Sequence, residues 1–140
     1  MIWPLIKGLG VTIRRFFSGP VTVQYPEERR SVSPRWRGIH YFEATEDGDT
    51  RCVACGLCVA ICPPKAIRLV AVEREDGSRY PEVYELDAIR CIYCGLCEEV
   101  CPVDAIKLSR IYNVVGSSRS ELKWDKKRLL ERRLEKEAVG

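Results

Sequence analysis

The sequence predicts an α+β fold. A duplicated domain of short strands and helical turns follows an N-terminal amphipathic helix and an extended strap, and a C-terminal helical tail comes after it. Three observations carry this reading. All eight cysteines of the 140 residues fall between Cys52 and Cys101, in two runs of the form Cys-x-x-Cys-x-x-Cys-x-x-x-Cys-Pro. Residues 51–69 (RCVACGLCVAICPPKAIRL) recur 39 residues later as residues 90–108 (RCIYCGLCEEVCPVDAIKL), with 11 of 19 positions identical. The apolar residues follow a helical period over residues 2–17 and read as strands from residue 66 onward. With 31% charged and 46% apolar residues the composition is globular. The length suits one domain with arms.

Residues 1–40 form the first segment. At 100° per residue Ile2, Leu5, Ile6, Leu9, Ile13, Phe16 and Phe17 share one arc, and Lys7, Gly8, Arg14 and Arg15 lie opposite. Basic residues facing an apolar, aromatic-edged stripe suit a helix at a membrane interface or in a groove of a membrane protein. Gly19 and Pro20 stop it. The prolines at 20, 26 and 34 and the alternation of Val21, Val23 and Tyr25 then predict an extended strap. Ser33-Pro34-Arg35-Trp36-Arg37-Gly38 sets two cations around an indole, a combination suited to carboxylates or anionic lipid, or to a solvated loop. His40, the single histidine, reads as structural.

Residues 41–112 contain the cysteines. Disulfide frameworks need an oxidising compartment, and the chain start lacks the features of a secretory signal. Structural zinc sites join knuckles across a spacer, whereas here three thiols arrive at equal three-residue steps, twice. The four-cysteine run ending in proline is the iron–sulfur ligation pattern, so two [4Fe–4S] clusters are expected. Gly56 and Gly95 follow the second cysteine of each run, where positive φ turns amides toward sulfur. Cys58 to Cys62 reads as one helical turn stopped at Pro63, which rises roughly 6 Å and carries the fourth cysteine away from the first three. The expected ligands are therefore Cys52, Cys55, Cys58 and Cys101 for cluster A, and Cys91, Cys94, Cys97 and Cys62 for cluster B. The repeat predicts a pseudo-two-fold domain in which each cluster ties both halves together. Residues 66–72 and 80–86 read as strands about a turn at Glu75-Asp76-Gly77-Ser78, and Ala105 begins the matching strand of the second half. Ile61, Ile67, Leu69, Val100, Ile106 and Leu108 are the expected core. Tyr93, standing where the first repeat has Ala54, either shields cluster B or fills space.

Residues 113–140 read as a charged helical tail. Ser118 with Glu121 fits a capping box, and Leu122, Leu129, Leu130 and Leu134 give a thin apolar edge. No catalytic residue is expected: the sequence carries no dinucleotide fingerprint, no paired catalytic carboxylates and no nucleophile–base pair.

The formal charge of +3 makes no case for nucleic acid, and no run of about 18 apolar residues predicts a spanning helix. Residues 1–40 hold 7 basic and 2 acidic residues, and 109–140 hold 9 and 5. Residues 41–50 hold four acids, and 51–108 hold 7 basic and 9 acidic residues before any cluster charge is counted. An anionic centre lies between two cationic arms.

Taken together, the N-terminal helix, VTVQYPEE at 21–28, SPRWRG at 33–38, both cysteine runs, CIYCGLCEEVCPVDAI at 91–106 and ELKWDKKRLL at 121–130 make the chain resemble a known family. It is the ferredoxin-like iron–sulfur subunit of proton-pumping NADH–quinone oxidoreductase, respiratory complex I. The resemblance covers almost the whole chain, departing at Gly56, where many members carry Lys, and over residues 40–50. It implies a two-[4Fe–4S] ferredoxin domain that relays single electrons toward a terminal cluster, held by a neighbouring subunit, that reduces quinone. It further implies a hetero-oligomer of peripheral-arm and membrane-arm subunits, with residues 2–17 at the membrane interface. The expected location is the cytoplasmic face of a prokaryotic plasma membrane. Equivalent subunits of membrane-bound hydrogenases, formate hydrogenlyases or ferredoxin-dependent relatives, and a free ferredoxin-type carrier, are the alternatives. The scarcity of Asn and Gln, one each, leans toward a thermophile.

Overall fold

The computed structural model describes residues 2–139, with side chains through Leu134. The outermost residues of the expected arm and tail, Met1 and Gly140, lie outside the described residues. The chain divides between Val32 and Ser33 into two units.

The first unit is built on helix α1 (Ile2–Phe16), which has no acidic residue in its first turn and Arg14 and Arg15 in its last. The two arginines complement the carbonyl end of the helix. The Ser18 side chain closes that end on the Arg15 carbonyl at 2.7 Å. No residue of α1 is buried, and the apolar stripe stands open, with Leu5 at 72%, Leu9 at 60% and Phe16 at 82% exposure. No helix is long and apolar enough among the described residues to cross a membrane. Residues 21–32, within the expected strap, form neither helix nor strand. The chain turns instead, with Tyr25 N–H donating to the Val23 carbonyl at 3.1 Å and Glu28 N–H to Gln24 at 2.7 Å. Alternating Val21, Val23 and Tyr25 find no neighbouring strand to pair with, so local bonds satisfy the backbone instead.

The second unit carries two small sheets. Strand β1 (His40–Phe42) pairs antiparallel with β4 (Ile106–Leu108), setting His40 opposite Leu108 and Phe42 opposite Ile106. Strands β2 (Ile67–Glu73) and β3 (Arg79–Asp87) form a hairpin, and β5 (Lys123–Asp125) adds to the free side of β3, giving the order β2-β3-β5. The hairpin turn lies where the sequence placed it. Asp76 accepts the Ser78 amide and hydroxyl, and Gly77 takes φ +80°. Short helices α2 (Leu57–Ile61) and α3 (Leu96–Glu99) follow the first cysteines of each run, and α4 (Lys126–Val139) packs on β1 and β5.

The core gathers Phe42, Ile67, Tyr84, Leu86, Ile106, Trp124 and Leu129. Of the six core residues expected from sequence, Ile67 and Ile106 are buried and Leu69, Val100 and Leu108 partly so. Ile61 is 43% exposed, because α2 turns Cys58 rather than its last residue inward.

The tail begins later than sequence suggested. Ser118 does donate to Glu121 at 2.8 Å, and the Ser117 amide donates to the same carboxylate at 3.0 Å, but they close a turn. The helix starts at Lys126, and its cap is Asp125, whose Oδ1 accepts the Arg128 amide at 2.9 Å. Between turn and helix, Trp124 enters the sheet fully buried, and Leu129 is wholly enclosed. The expected apolar edge therefore serves the domain's own core, apart from Leu134, which is exposed.

Candidate metal centre

Each cysteine run folds as a loop leading into a short helix. Gly56 and Gly95 cap α2 and α3 at φ +79° and +84°. Four residues that are not glycine also take left-handed backbone: Ala54 (φ 49°), Lys65 (50°), Tyr93 (53°) and Asp104 (51°). They form two pairs offset by the repeat length of 39. Holding an L-residue there costs roughly 1–2 kcal/mol. The neighbouring hydrogen bonds show what the strain accompanies. The Ala54 amide donates to Cys52 Sγ at 3.4 Å and its repeat partner Tyr93 to Cys91 Sγ at 3.3 Å. One residue beyond Lys65 and Asp104, Ala66 donates to Cys62 Sγ at 3.3 Å and Ala105 to Cys101 Sγ at 3.2 Å. The loops spend strain to turn amides toward sulfur.

Two cavities result. The first is lined by Cys52, Cys55, Cys58 and Cys101, with Phe42 and Tyr84 in its wall. The second is lined by Cys91, Cys94, Cys97 and Cys62, with His40 in its wall. Each thus receives three sulfurs from one run and the fourth cysteine of the other. Among the described residues no three His, Cys, Asp or Glu side chains are disposed to hold one metal ion. Four thiols spread about an apolar cavity fit a sulfur-bridged cluster better than a single tetrahedral ion, whose four ligands close in to about 2.3 Å.

Burial pushes the Cys52 thiol up to about 11 and the Cys97 thiol up to about 12, and raises Cys58 and Cys91 in the same direction. The amides and the Tyr84 hydroxyl pull against this only in part. Without metal these thiols are neutral, so metal binding must release their protons.

Three residues with polar groups lie near the cysteines, and of these sequence did not single out Tyr84. Tyr84, fully buried on β3, donates its hydroxyl to Cys58 Sγ at 3.8 Å while its ring meets Phe42 edge-on. It alternates with Leu86 along the strand, but nothing in the spacing aims its hydroxyl. Tyr93 sends its hydroxyl to the Ala88 carbonyl at 3.5 Å, not to a sulfur, and stacks its ring against His40 at 5.6 Å. His40 is buried in β1, and among the described residues its Nδ1 has no hydrogen-bond partner. Burial, with nearby Arg132, lowers its pKa to about 4.

The cation pair of residues 33–38 is partly spent inside the unit. Arg37 bonds Glu99 at 2.9 Å and Trp36 meets Tyr112 edge-on, while Arg35 stays exposed. A side chain at Gly38 would collide with the carbonyls of Ser109 and Ile111. The acidic stretch is paired as well: Glu43 with Arg133 at 3.5 Å, and Asp49 with Arg74 at 3.2 Å and Lys126 at 3.7 Å. These partly exposed pairs contribute about 0–1 kcal/mol each.

Comparison with known proteins agrees with this geometry. Residues 51–105 match the family model described as a 4Fe-4S dicluster domain. NADH-quinone oxidoreductase subunit I of Francisella philomiragia subsp. philomiragia is 49% identical over 79 residues, which is 56% of this chain and 49% of that protein. The Francisella tularensis subsp. tularensis protein of the same name gives the same figures. The chain therefore spans about half the length of the relatives it matches. Among solved structures, a chain of the membrane-bound sulfane sulfur reductase, an archaeal respiratory membrane complex, superposes with a TM-score of 0.56 at 28% identity. That match covers 80% of this chain and 56% of the other. Residues 51–105 are thus similar to a 4Fe-4S dicluster domain, which fits two [4Fe–4S] clusters, and the chain is similar over about half its length to subunit I of NADH-quinone oxidoreductase.

Proposed function

We propose that the chain is a non-catalytic electron-relay subunit of NADH–quinone oxidoreductase, passing single electrons toward the terminal cluster that reduces quinone. The observation that carries this reading is the pair of cavities, each lined by four cysteines drawn from both repeats. Cys52, Cys55, Cys58 and Cys101 would hold cluster A, and Cys91, Cys94, Cys97 and Cys62 cluster B. The features offset by 39 residues support a pseudo-two-fold arrangement. When bound, the clusters supply one-electron redox chemistry. The chain contributes the rest. Eight thiols give up protons to become ligands. The amides of residues 54, 66, 93 and 105 donate to ligand sulfurs and favour the thiolate form. Phe42, Ile67, Tyr84 and Leu86 wall the cavities with apolar surface, and Cys58 and Cys97 are the two cysteines buried there, while Cys55 lies exposed.

The open apolar stripe of α1, flanked by Lys7, Arg14 and Arg15, supports docking at the membrane interface on the cytoplasmic face, among the peripheral-arm and membrane-arm subunits. The complex purified through this chain should oxidise NADH with quinone, and the chain should carry about eight irons. Reduction of another acceptor without NADH activity would instead favour a second reading, in which the same wire serves a related membrane complex. The likeness to a sulfane sulfur reductase chain over 80% of this sequence supports that alternative.

A further inference from the structure

We propose that His40 donates a hydrogen bond from Nδ1 to a sulfur of cluster B and thereby raises that cluster's reduction potential. This rests on the ligand assignment proposed above. His40 is 1% exposed, and its Nδ1 is buried without a partner. Folded proteins rarely leave a buried ring nitrogen unpaired. A group from outside the chain's own hydrogen-bonding set would complete it.

The composition of the second cavity limits what that group is. Besides His40 and the four cysteines, its lining side chains are apolar, among them Ala66, Ile67, Leu86, Ile92 and Leu96. No carboxylate, amide or hydroxyl side chain lines it. Sulfur is the acceptor this cavity offers to a side-chain donor. The ring is also held in place. Its backbone is paired in β1 opposite Leu108, and Tyr93 stacks against it at 5.6 Å. A neutral imidazole carries a single N–H, on one of its two ring nitrogens. That proton is better placed on Nδ1, which is buried and has no partner among the described residues.

The chemistry has a direction. Reduction adds negative charge to the cluster sulfurs, and an N–H dipole aimed at one of them stabilises the reduced state. Removing the donor should lower the potential. The effect should be confined to cluster B, because His40 is the only histidine and the first cavity has a different polar wall group, the Tyr84 hydroxyl at 3.8 Å from Cys58 Sγ.

The test is a redox titration followed by electron paramagnetic resonance on the complex carrying His40→Phe or His40→Gln. In the Phe variant we expect the cluster B potential to shift negative while cluster A stays in place. In the Gln variant, whose side chain can still donate, we expect part of the shift to be recovered. An unmoved cluster B, or equal shifts of both clusters, would overturn the proposal. Should the Phe variant lose its cluster, wild type labelled with ¹⁵N-histidine gives an independent answer. Reduced cluster B should show a hyperfine coupling to one imidazole nitrogen, and absence of that coupling refutes the hydrogen bond. The ligand reading fails separately, if wild type binds fewer than two clusters or if Cys94→Ala leaves the cluster B signal unchanged.

Discussion

Replacing Cys62 by Ala tests the crossed ligation most directly. Cys62 follows Cys58 by four residues, so an uncrossed site would make it a ligand of the first cluster. The structure instead sets it in the cavity of Cys91, Cys94 and Cys97, across from the loop that precedes it. Its removal should deprive one site of a quarter of its ligands and leave the other with all four. Iron should fall from about eight to about four per chain, with the visible absorbance roughly halved. Identity is decided by reference variants. Cys94→Ala and Cys55→Ala each remove a middle cysteine whose cavity is not in question. The spectrum of Cys62→Ala should match that of Cys94→Ala, and Cys101→Ala should match Cys55→Ala. Iron analysis and low-temperature electron paramagnetic resonance read both comparisons. A Cys62→Ala protein that keeps cluster B and loses cluster A would refute the crossed assignment and the inter-repeat stapling drawn from it.

Three further outcomes are expected. Tyr84→Phe keeps the edge-on contact with Phe42 but removes the donor to Cys58, and should lower the cluster A potential with a stability loss of about 1 kcal/mol in chemical denaturation. Asp87 accepts Arg119 at 2.8 Å and the amides of Ile89 and Arg90, and the Arg119 contact foremost holds its carboxyl below the usual range. The folded pKa lies below the unfolded one, so this stabilisation is present above about pH 4 and fades as the pH falls through the folded value. Asp87→Asn should therefore cost about 1–2 kcal/mol at pH 7, with the gap to wild type closing in acid titrations. Leu9, 60% exposed on α1, should contribute to membrane binding, so Leu9→Gln should weaken association with anionic vesicles about tenfold in a flotation assay. Unchanged binding would detach α1 from that role.

The parts of the fold legible in the sequence were those that repeat or alternate over several residues. The cysteine runs, the two glycines with positive φ, the β2–β3 hairpin and α1 all carry patterns long enough to read. Strand β5 has three residues, too few for alternation to show, so Trp124 read as part of a helix rather than as core. The Ser118–Glu121 pattern is a real hydrogen bond that happens to close a turn, while the true cap, Asp125, lacked the usual glutamate three residues on. The left-handed Ala54, Lys65, Tyr93 and Asp104 were invisible because residue type gives no hint of them. Their conformation is imposed by where the sulfurs lie. His40 read as a structural residue in a loop, and its place in the wall of the second cavity depends on β1 pairing with β4, a contact 68 residues apart in sequence at His40 and Leu108.

The enclosed Trp124 and Leu129 also decide where a gene can be cut. The stretch bearing all eight cysteines ends at Cys101, and a fragment trimmed to residues 51–108 would look complete to anyone reading the cysteine motifs. Such a fragment would lack the strand that covers β3 and the helix that roofs β1, and it would begin after His40 and Phe42. It would keep every ligand yet leave Tyr84 and Ile106 facing water. The smallest portable redox module therefore runs from about Ser33 to at least Arg132, and transplanting it means carrying its flanks along with its cysteines.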